Sequence, residues 1–103
     1  MIAQEKLTDY LLVDRPWDDK AKFLRRGGFT QDNPQALREA IRDLADRQEA
    51  VEDGRSEYGV FLRVDGQLHG VNGRELPVTI IWMHRLHDDT VYFVTLKPRK
   101  RGG

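Results

Sequence analysis

The spacing of hydrophobic residues changes near the middle of the chain. Between Leu37 and Val51, apolar residues recur at helical spacing, with charged residues between them. This pattern predicts an amphipathic helix. Asn33 is a favoured N-cap, Pro34 suits the first helical position, and Gly54 is a plausible stop. The sequence therefore predicts one long helix in this segment.

A shorter helix is predicted before it. Asp18 or Asp19 can cap its start, and it runs to about Arg26. Gly27-Gly28 would end it, because glycine readily adopts the left-handed conformation that closes a helix. Its apolar face would contain Trp17, Ala21 and Leu24. Farther upstream, the apolar residues are Leu7, Tyr10, Leu11 and Leu12, whose spacing fits either a helical turn or a short strand.

After Gly54 the apolar period becomes two, which is typical of strands. The predicted strands are Tyr58–Val64, 67–70, Pro77–Arg85 and Thr90–Leu96. The predicted turns are Asp65-Gly66, Asn72-Gly73 and His87-Asp88-Asp89. The last two strands are apolar on both faces, so we expect them to be central, with helices over one side. The predicted fold class is α+β: two N-terminal helices packed on a C-terminal antiparallel sheet of three to four strands.

Length and composition indicate one domain over residues 1–98, followed by a basic flexible tail at 99–103. The lack of cysteine excludes disulfides, thiolate metal sites and a cysteine nucleophile. No segment approaches the ~20 apolar residues that span a bilayer, so we expect a cytoplasmic protein that does not bind membranes. The net charge is zero. However, residues 1–53 carry nine basic and twelve acidic side chains, whereas the remainder carries eight and five.

The three histidines lack the spacing of a metal-binding pair, so neither a metal nor another cofactor is expected. His69 lies in a segment, 68–74, whose glycines would hold the backbone close to a neighbour. It is therefore the first histidine to test as a general acid or base. His84 and His87 flank a predicted turn. Ser56 is the only serine and lies in no nucleophile motif, which excludes a serine hydrolase.

Basic side chains on the first predicted helix and in the second half could bind phosphate. The candidates are Lys20, Lys22, Arg25, Arg26, Arg74, Lys97, Arg99, Lys100 and Arg101. Guanidinium groups bind phosphate in a bidentate manner, and clustered basic residues attract polyphosphates or acidic partners. The alternative is that these are solvated surface charges. Stacking surfaces for bases could come from Tyr58, Trp82, Tyr92 and Phe93, unless these belong to the core. Thr95 could present its hydroxyl on the sheet surface.

Several motifs occur in a recognisable order along the chain. They are Lys6-Leu7-Thr8-Asp9-Tyr10-Leu11-Leu12, Lys20-Ala21-Lys22-Phe23, Gly28-Phe29-Thr30, Glu57-Tyr58-Gly59, Leu68-His69-Gly70-Val71-Asn72-Gly73-Arg74, Val78-Thr79-Ile80-Ile81-Trp82, and Val94-Thr95 before Leu96-Lys97-Pro98. In this order the chain resembles a family of small, uncharacterised bacterial domains. That arrangement is in turn similar to the barnase-, EndoU-, colicin- and RelE-like nucleases.

The resemblance implies helices packed on a four-stranded antiparallel sheet and RNA cleavage without a metal. Proteins of this group are often toxins of toxin–antitoxin or phage-linked systems. Carried over to this chain, the implied site contains Lys20, Tyr58, Arg74 and Thr95. His69 matches no catalytic position of the family, and the chain departs from the family pattern at Leu96-Lys97.

Two functional hypotheses follow. The first is a metal-independent ribonuclease toxin, with RNA as substrate and a small cognate antitoxin or inhibitor protein as partner. The second is a non-catalytic protein-binding module, such as an antitoxin, immunity-type or adaptor domain. The zero net charge and a pI near 6.8 favour the second, because nucleic-acid-binding domains are usually basic.

Overall fold

The structure is a computed structural model that describes residues 2, 4–7, 11–13 and 20–99. Its helices are α1 (Gln4–Lys6), α2 (Lys20–Arg25) and α3 (Pro34–Arg47). Its strands are β1 (Val51–Ser56), β2 (Gly59–His69), β3 (Glu75–Arg85) and β4 (Thr90–Pro98). They form one antiparallel sheet in the order β1-β2-β3-β4. The predicted α+β class and antiparallel sheet are confirmed. The predictions for Tyr10, Trp17, Asp18, Asp19, Lys100 and Arg101 lie outside the described residues.

Helix α3 packs along β2, whereas α2 contacts β4. The buried face of α3 consists of Leu37, Ala40, Ile41 and Leu44. These side chains join Val64, Leu68, Val78 and Ile80 from the sheet, together with Leu7 and Leu11, in a single core cluster. No helix in the described part of the chain is long and apolar enough to cross a membrane.

The start of α3 is predicted correctly, but its end is not. Pro34 is its first residue, and Asn33 occupies the N-cap position, but its side chain accepts no capping hydrogen bond from the first turn of the helix. The Asn33 carboxamide instead accepts a hydrogen bond from the N–H of Thr30 at 2.7 Å. The helix ends at Arg47, well before Gly54, because the following segment pairs with β2, with Val51 opposite Arg63. Helical spacing in the sequence cannot reveal this competition with a distant strand.

The predicted turn at Asp65-Gly66 is wrong, since β2 continues through it. Asp65 lies opposite Thr79 and Gly66 lies opposite Val78. The glycine serves helix packing instead: a Cβ at position 66 would lie 2.7 Å from Cδ1 of Leu44. Glycine in a strand often marks such a close approach. The two predicted strands are therefore one strand of 11 residues.

The prediction that the last two strands are both central is right for β3 only. Val78, Ile80 and Trp82 face the core as expected, but β4 is the last strand in the order of the described sheet. A register shift between Ile81 and Trp82 lies where β3 pairs with β4. Within the described residues β4 has a neighbouring strand on one side only, so its apolar residues do not indicate a central strand.

Candidate functional site

The loop between β2 and β3 docks on the end of α2. The backbone N–H of Val71 donates to the carbonyl of Gly27 at 2.8 Å. The carboxamide of Asn72 donates to the carbonyl of Arg26 at 2.9 Å. Within the loop, the N–H of Gly70 donates to the carbonyl of Arg74 at 2.7 Å. These bonds hold Arg74 beside the C-terminal turn of α2.

Close contact between the loop and the end of α2 explains Gly70 and Gly28. A Cβ on Gly70 would lie 2.6 Å from the carbonyl oxygen and 2.7 Å from Cα of Gly27. A Cβ on Gly28 would lie 2.4 Å from Cγ2 of Val71. The neighbour expected from the sequence is thus the glycine pair that ends α2, and the two glycine motifs form one packing unit.

A groove with three arginines opens between α2, the start of β3 and the end of β4. Its lining residues are Phe23, Arg26, Arg74, Glu75, Leu76, Pro77 and Arg99, and its volume is about 450 Å³. We call it the cationic groove. The backbone N–H of Arg99 donates to the carbonyl of Pro77 at 2.9 Å, which places Arg99 over β3. The Arg99 side chain is also 3.9 Å from an Asp65 carboxylate oxygen. With three cations against Glu75, the groove suits an anionic ligand.

An adjoining cavity of about 380 Å³ is lined by Lys22, Phe23, Arg26 and Pro98. It shares Phe23 and Arg26 with the cationic groove. Of the residues predicted to bind RNA, Lys22, Arg26 and Arg99 therefore line these two spaces. Arg25 and Lys97 are exposed but line neither.

His69 and Glu75 form a side-chain pair at the edge of the cationic groove. Nδ1 of His69 lies 3.1 Å from Oε1 of Glu75, and the two residues are opposite each other in the β2–β3 pairing. About half of each side chain is exposed to solvent. A carboxylate beside one ring nitrogen orients the imidazole and leaves the other nitrogen for proton transfer. His69 and Arg74 are candidates from the sequence alone, whereas Glu75 is not, because only the strand register brings it to His69.

Lys20 and Thr95 form a second contact between predicted site residues. Nζ of Lys20 donates to Oγ1 of Thr95 at 3.1 Å, across 75 positions of sequence. Lys20 begins α2, whereas Arg26 follows the end of that helix. At ~1.5 Å of rise per residue, the backbones of Lys20 and Arg26 are roughly 9 Å apart along the axis. The Lys20–Thr95 pair therefore lies at the start of α2, whereas Arg26 in the cationic groove lies just after the end of that helix.

Tyr58 does not join the other predicted catalytic residues. It lies in the β1–β2 turn with 67% of its surface exposed. Between Gly59, which follows it, and His69, β2 runs without a turn for roughly 33 Å at ~3.3 Å per residue. Tyr58 instead lines a separate cavity with Met83, Arg85 and His87. The expectation of one site containing both Tyr58 and His69 fails because β2 is continuous.

The other aromatic candidates have structural contacts. Trp82 and Phe93 are buried and meet edge to face, with ring centroids 5.7 Å apart. They are core residues, with 7% and 4% of their surfaces exposed. Tyr92 is half-buried, with the guanidinium carbon of Arg85 4.4 Å from its ring centroid. Phe23, which had no predicted ligand role, is the aromatic residue of the cationic groove.

The remaining histidines lie near the end of β3 and in the β3–β4 turn. His84 lies in β3, half-buried, and Nε2 contacts the carboxylate of Asp89. His87 is exposed. Desolvation raises the pKa of Asp88, but hydrogen bonds from Thr90 and the charges of His87 and Arg85 outweigh it, so this pKa is below its usual value. Among the residues that the structure describes, no three His, Asp or Glu side chains are grouped as metal ligands.

Fold and site together define a small α+β domain with a cationic groove at one end of an antiparallel sheet. The chain belongs to the family described as "Domain of unknown function (DUF6883)", which matches residues 1–100. No curated protein matches it significantly. Its fold is similar to that of a chain in the solved "Contact-dependent growth inhibition toxin - immunity protein complex from Klebsiella pneumoniae 342". The TM-score is 0.74 at 20% identity, over 95% of this chain and 98% of that one. At this identity the likeness establishes a shared fold.

Proposed function

We propose that the protein is a metal-independent ribonuclease that acts as the toxin of a toxin–antitoxin or toxin–immunity pair. The observation that carries the proposal is the His69–Glu75 pair at the edge of a groove lined by three arginines. A proton-transfer group next to clustered cations is what cleavage of a phosphodiester by its own 2′-hydroxyl requires.

In the proposed reaction, His69 takes the proton of the ribose 2′-hydroxyl, and Glu75 holds the imidazole in position. The 2′-oxygen attacks the adjacent phosphorus and the bond to the 5′-oxygen breaks, leaving a 2′,3′-cyclic phosphate. The 5′-oxygen receives a proton from the protonated imidazole or from water. Arg74, with Arg26 and Arg99, stabilises the additional negative charge on the phosphate oxygens in the transition state.

Lys20 and Thr95 take a supporting role in this proposal. The Lys20 ammonium, positioned by the Thr95 hydroxyl, would contact a neighbouring phosphate along α2. Tyr58 takes no part because of its distance along β2. A cognate protein would inhibit the enzyme by covering the cationic groove. Since that groove is basic, the covering surface would be acidic. The likeness in fold to a chain of a toxin–immunity complex supports such a partner.

Purified protein is expected to cleave RNA in the presence of EDTA and to leave 2′,3′-cyclic phosphate ends. Its induction in a bacterial host is expected to arrest growth, and His69→Ala is expected to relieve that arrest. Product ends can be identified by mass spectrometry of a short RNA substrate. If protein shown to be folded by circular dichroism neither cleaves total bacterial RNA nor slows growth, the proposal is overturned.

Lys20→Ala is expected to lower the rate of RNA cleavage by about 10- to 150-fold, since a hydrogen bond to a charged group contributes about 1.5–3 kcal/mol. The rate should be measured at saturating and at limiting RNA, because a contact with a neighbouring phosphate affects binding. Thr95→Val should have a smaller effect in the same direction, as it leaves the ammonium in place. If Lys20→Ala cleaves RNA at the same rate as the parent protein, Lys20 has no role in the site.

A non-catalytic, immunity-type module is the second candidate, and β1 favours it. All six residues of β1 are exposed, and β1 is the first strand in the order of the described sheet. Exposed edge strands can pair with a strand of another protein. Under this alternative the protein would protect cells from a co-expressed toxin, whereas a ribonuclease toxin would itself arrest their growth.

A further inference from the structure

Phe23 and Arg26 form a common wall between the cationic groove and the adjoining cavity. On one side of this wall, Arg74 and Arg99 supply positive charge. On the other side, Lys22 supplies it. Cationic groups are thus present on both sides of one aromatic ring.

Phe23 is held in place by the fold. Its side chain is partly buried and packs against the core cluster, while part of its surface lines both spaces. Pro77 also lines the groove, and Pro98 also lines the adjoining cavity. A base that stacked on this ring would meet a surface that needs little ordering on binding.

Lys22 and Arg26 lie four residues apart along α2 and the turn that follows it. Side chains at this spacing lie on one side of a helix, roughly 6 Å apart along its axis. An aromatic ring in a positively charged groove is the arrangement with which proteins bind single-stranded nucleic acid, since the bases stack on the ring and the cations follow the backbone.

We propose that the cationic groove and the adjoining cavity together bind single-stranded RNA of at least two nucleotides, with one base stacked on Phe23. The phosphate on one side of that base contacts Arg26, Arg74 and Arg99, and the phosphate on the other side contacts Lys22. This inference rests on the proposed ribonuclease function and specifies its substrate. Duplex RNA is excluded as the preferred ligand, because the faces of its bases are already stacked and cannot reach the ring.

The test measures binding of an RNA that cannot be cleaved. A fluorescein-labelled single-stranded octamer with 2′-O-methyl groups lacks the nucleophile, so fluorescence anisotropy reports affinity alone. The competitor is a blunt 12-base-pair duplex of the same chemistry. We compare the parent with Phe23→Leu, which retains apolar packing but removes the ring, and with Phe23→Trp, which retains the ring. Leu86→Ala, at an exposed turn residue outside the groove, serves as the control.

Phe23→Leu is expected to weaken binding of the single strand by about 5- to 150-fold, the usual effect of losing one stacked base. Phe23→Trp and Leu86→Ala should bind within about twofold of the parent. The duplex should bind more weakly than the single strand, and its affinity should be unchanged by Phe23→Leu. Equal affinity of parent and Phe23→Leu for the single strand, or equal affinity of the parent for strand and duplex, overturns the inference.

A second readout applies if Phe23→Leu proves unfolded in a thermal melt. The octamer should quench the fluorescence of Phe23→Trp beyond any quenching of the parent, because a base stacks on the new indole. No additional quenching at saturating octamer overturns the inference. If the parent cleaves RNA but the affinity or the quenching experiment is negative, the proposed ribonuclease function stands and the Phe23 subsite is rejected. If the parent neither cleaves nor binds RNA, both the proposed function and the Phe23 subsite are rejected.

Discussion

Replacing Arg74 with alanine is expected to lower the rate of RNA cleavage by about 10²–10³, the loss that follows removal of one pre-organised donor to a developing charge. Arg74 lines the cationic groove and follows a loop that is hydrogen-bonded to the end of α2. The backbone of Arg74 is therefore positioned before RNA binds. Single-turnover cleavage of a short RNA with excess enzyme measures the effect on the chemical step directly.

Two further variants make this experiment decisive. Arg42→Ala removes an exposed arginine from α3, outside the groove, and should cleave at the parental rate. Arg74→Lys keeps the charge but loses bidentate binding, so its rate should lie between those of the parent and the alanine variant. If Arg74→Ala, folded as judged by its melting temperature, cleaves like the parent, the groove is not the catalytic site.

Gly70→Ala is expected to lower the free energy of unfolding by about 3 kcal/mol, the upper end of the usual cost of overpacking. The new Cβ would press on the backbone of Gly27, which cannot move aside as the end of a flexible side chain can. For a domain of this size the melting temperature should fall by more than about 10 °C. Urea denaturation monitored by circular dichroism gives the free energy.

Gly73→Ala in the same loop is the matched comparison. Gly73 has a φ of +86°, but a Cβ there would meet no atom within 4 Å. Its substitution costs only the conformational penalty, about 1–2 kcal/mol. A Gly70→Ala variant no less stable than Gly73→Ala would show that the loop does not pack against α2 as described. In that event the position of Arg74 would also have to be revised.

This packing has a consequence for the site. One wall of the cationic groove comes from α2 and the turn that follows it, and the other from the start of β3 and the residue after β4. The contact between Gly70 and Gly27 is where the backbones of these walls approach each other. Substitutions at the glycines are therefore expected to affect catalysis as well as stability, although neither glycine has a side chain to contribute.

Local sequence predicted the elements well wherever local interactions determine them. The start of α3 follows from Pro34, and the turn between β2 and β3 occurs at Asn72-Gly73. The errors arose where a distant segment decides the outcome. Residues after Arg47 pair with β2 instead of continuing the helix, and Asp65-Gly66 continues a strand because α3 packs over it.

The same division applies to the candidate site. The sequence identified Lys22, Arg26, Arg74 and Arg99 as cations suited to phosphate, and their residue types alone justify this. It could not show that these four surround Phe23, that Glu75 meets His69, or that Tyr58 lies at the far end of β2.

By itself, then, the sequence determined the fold class, the presence of α2, α3, β3 and β4, and the types of side chain available for chemistry. The spacing of hydrophobic residues, the positions of glycines and the charges of side chains are properties of short segments, so they are visible in the sequence alone. Only the tertiary structure decided which of these side chains meet. A contact between Gly27 and Gly70, or between Lys20 and Thr95, depends on strand register and helix packing over long separations, to which no local pattern is sensitive.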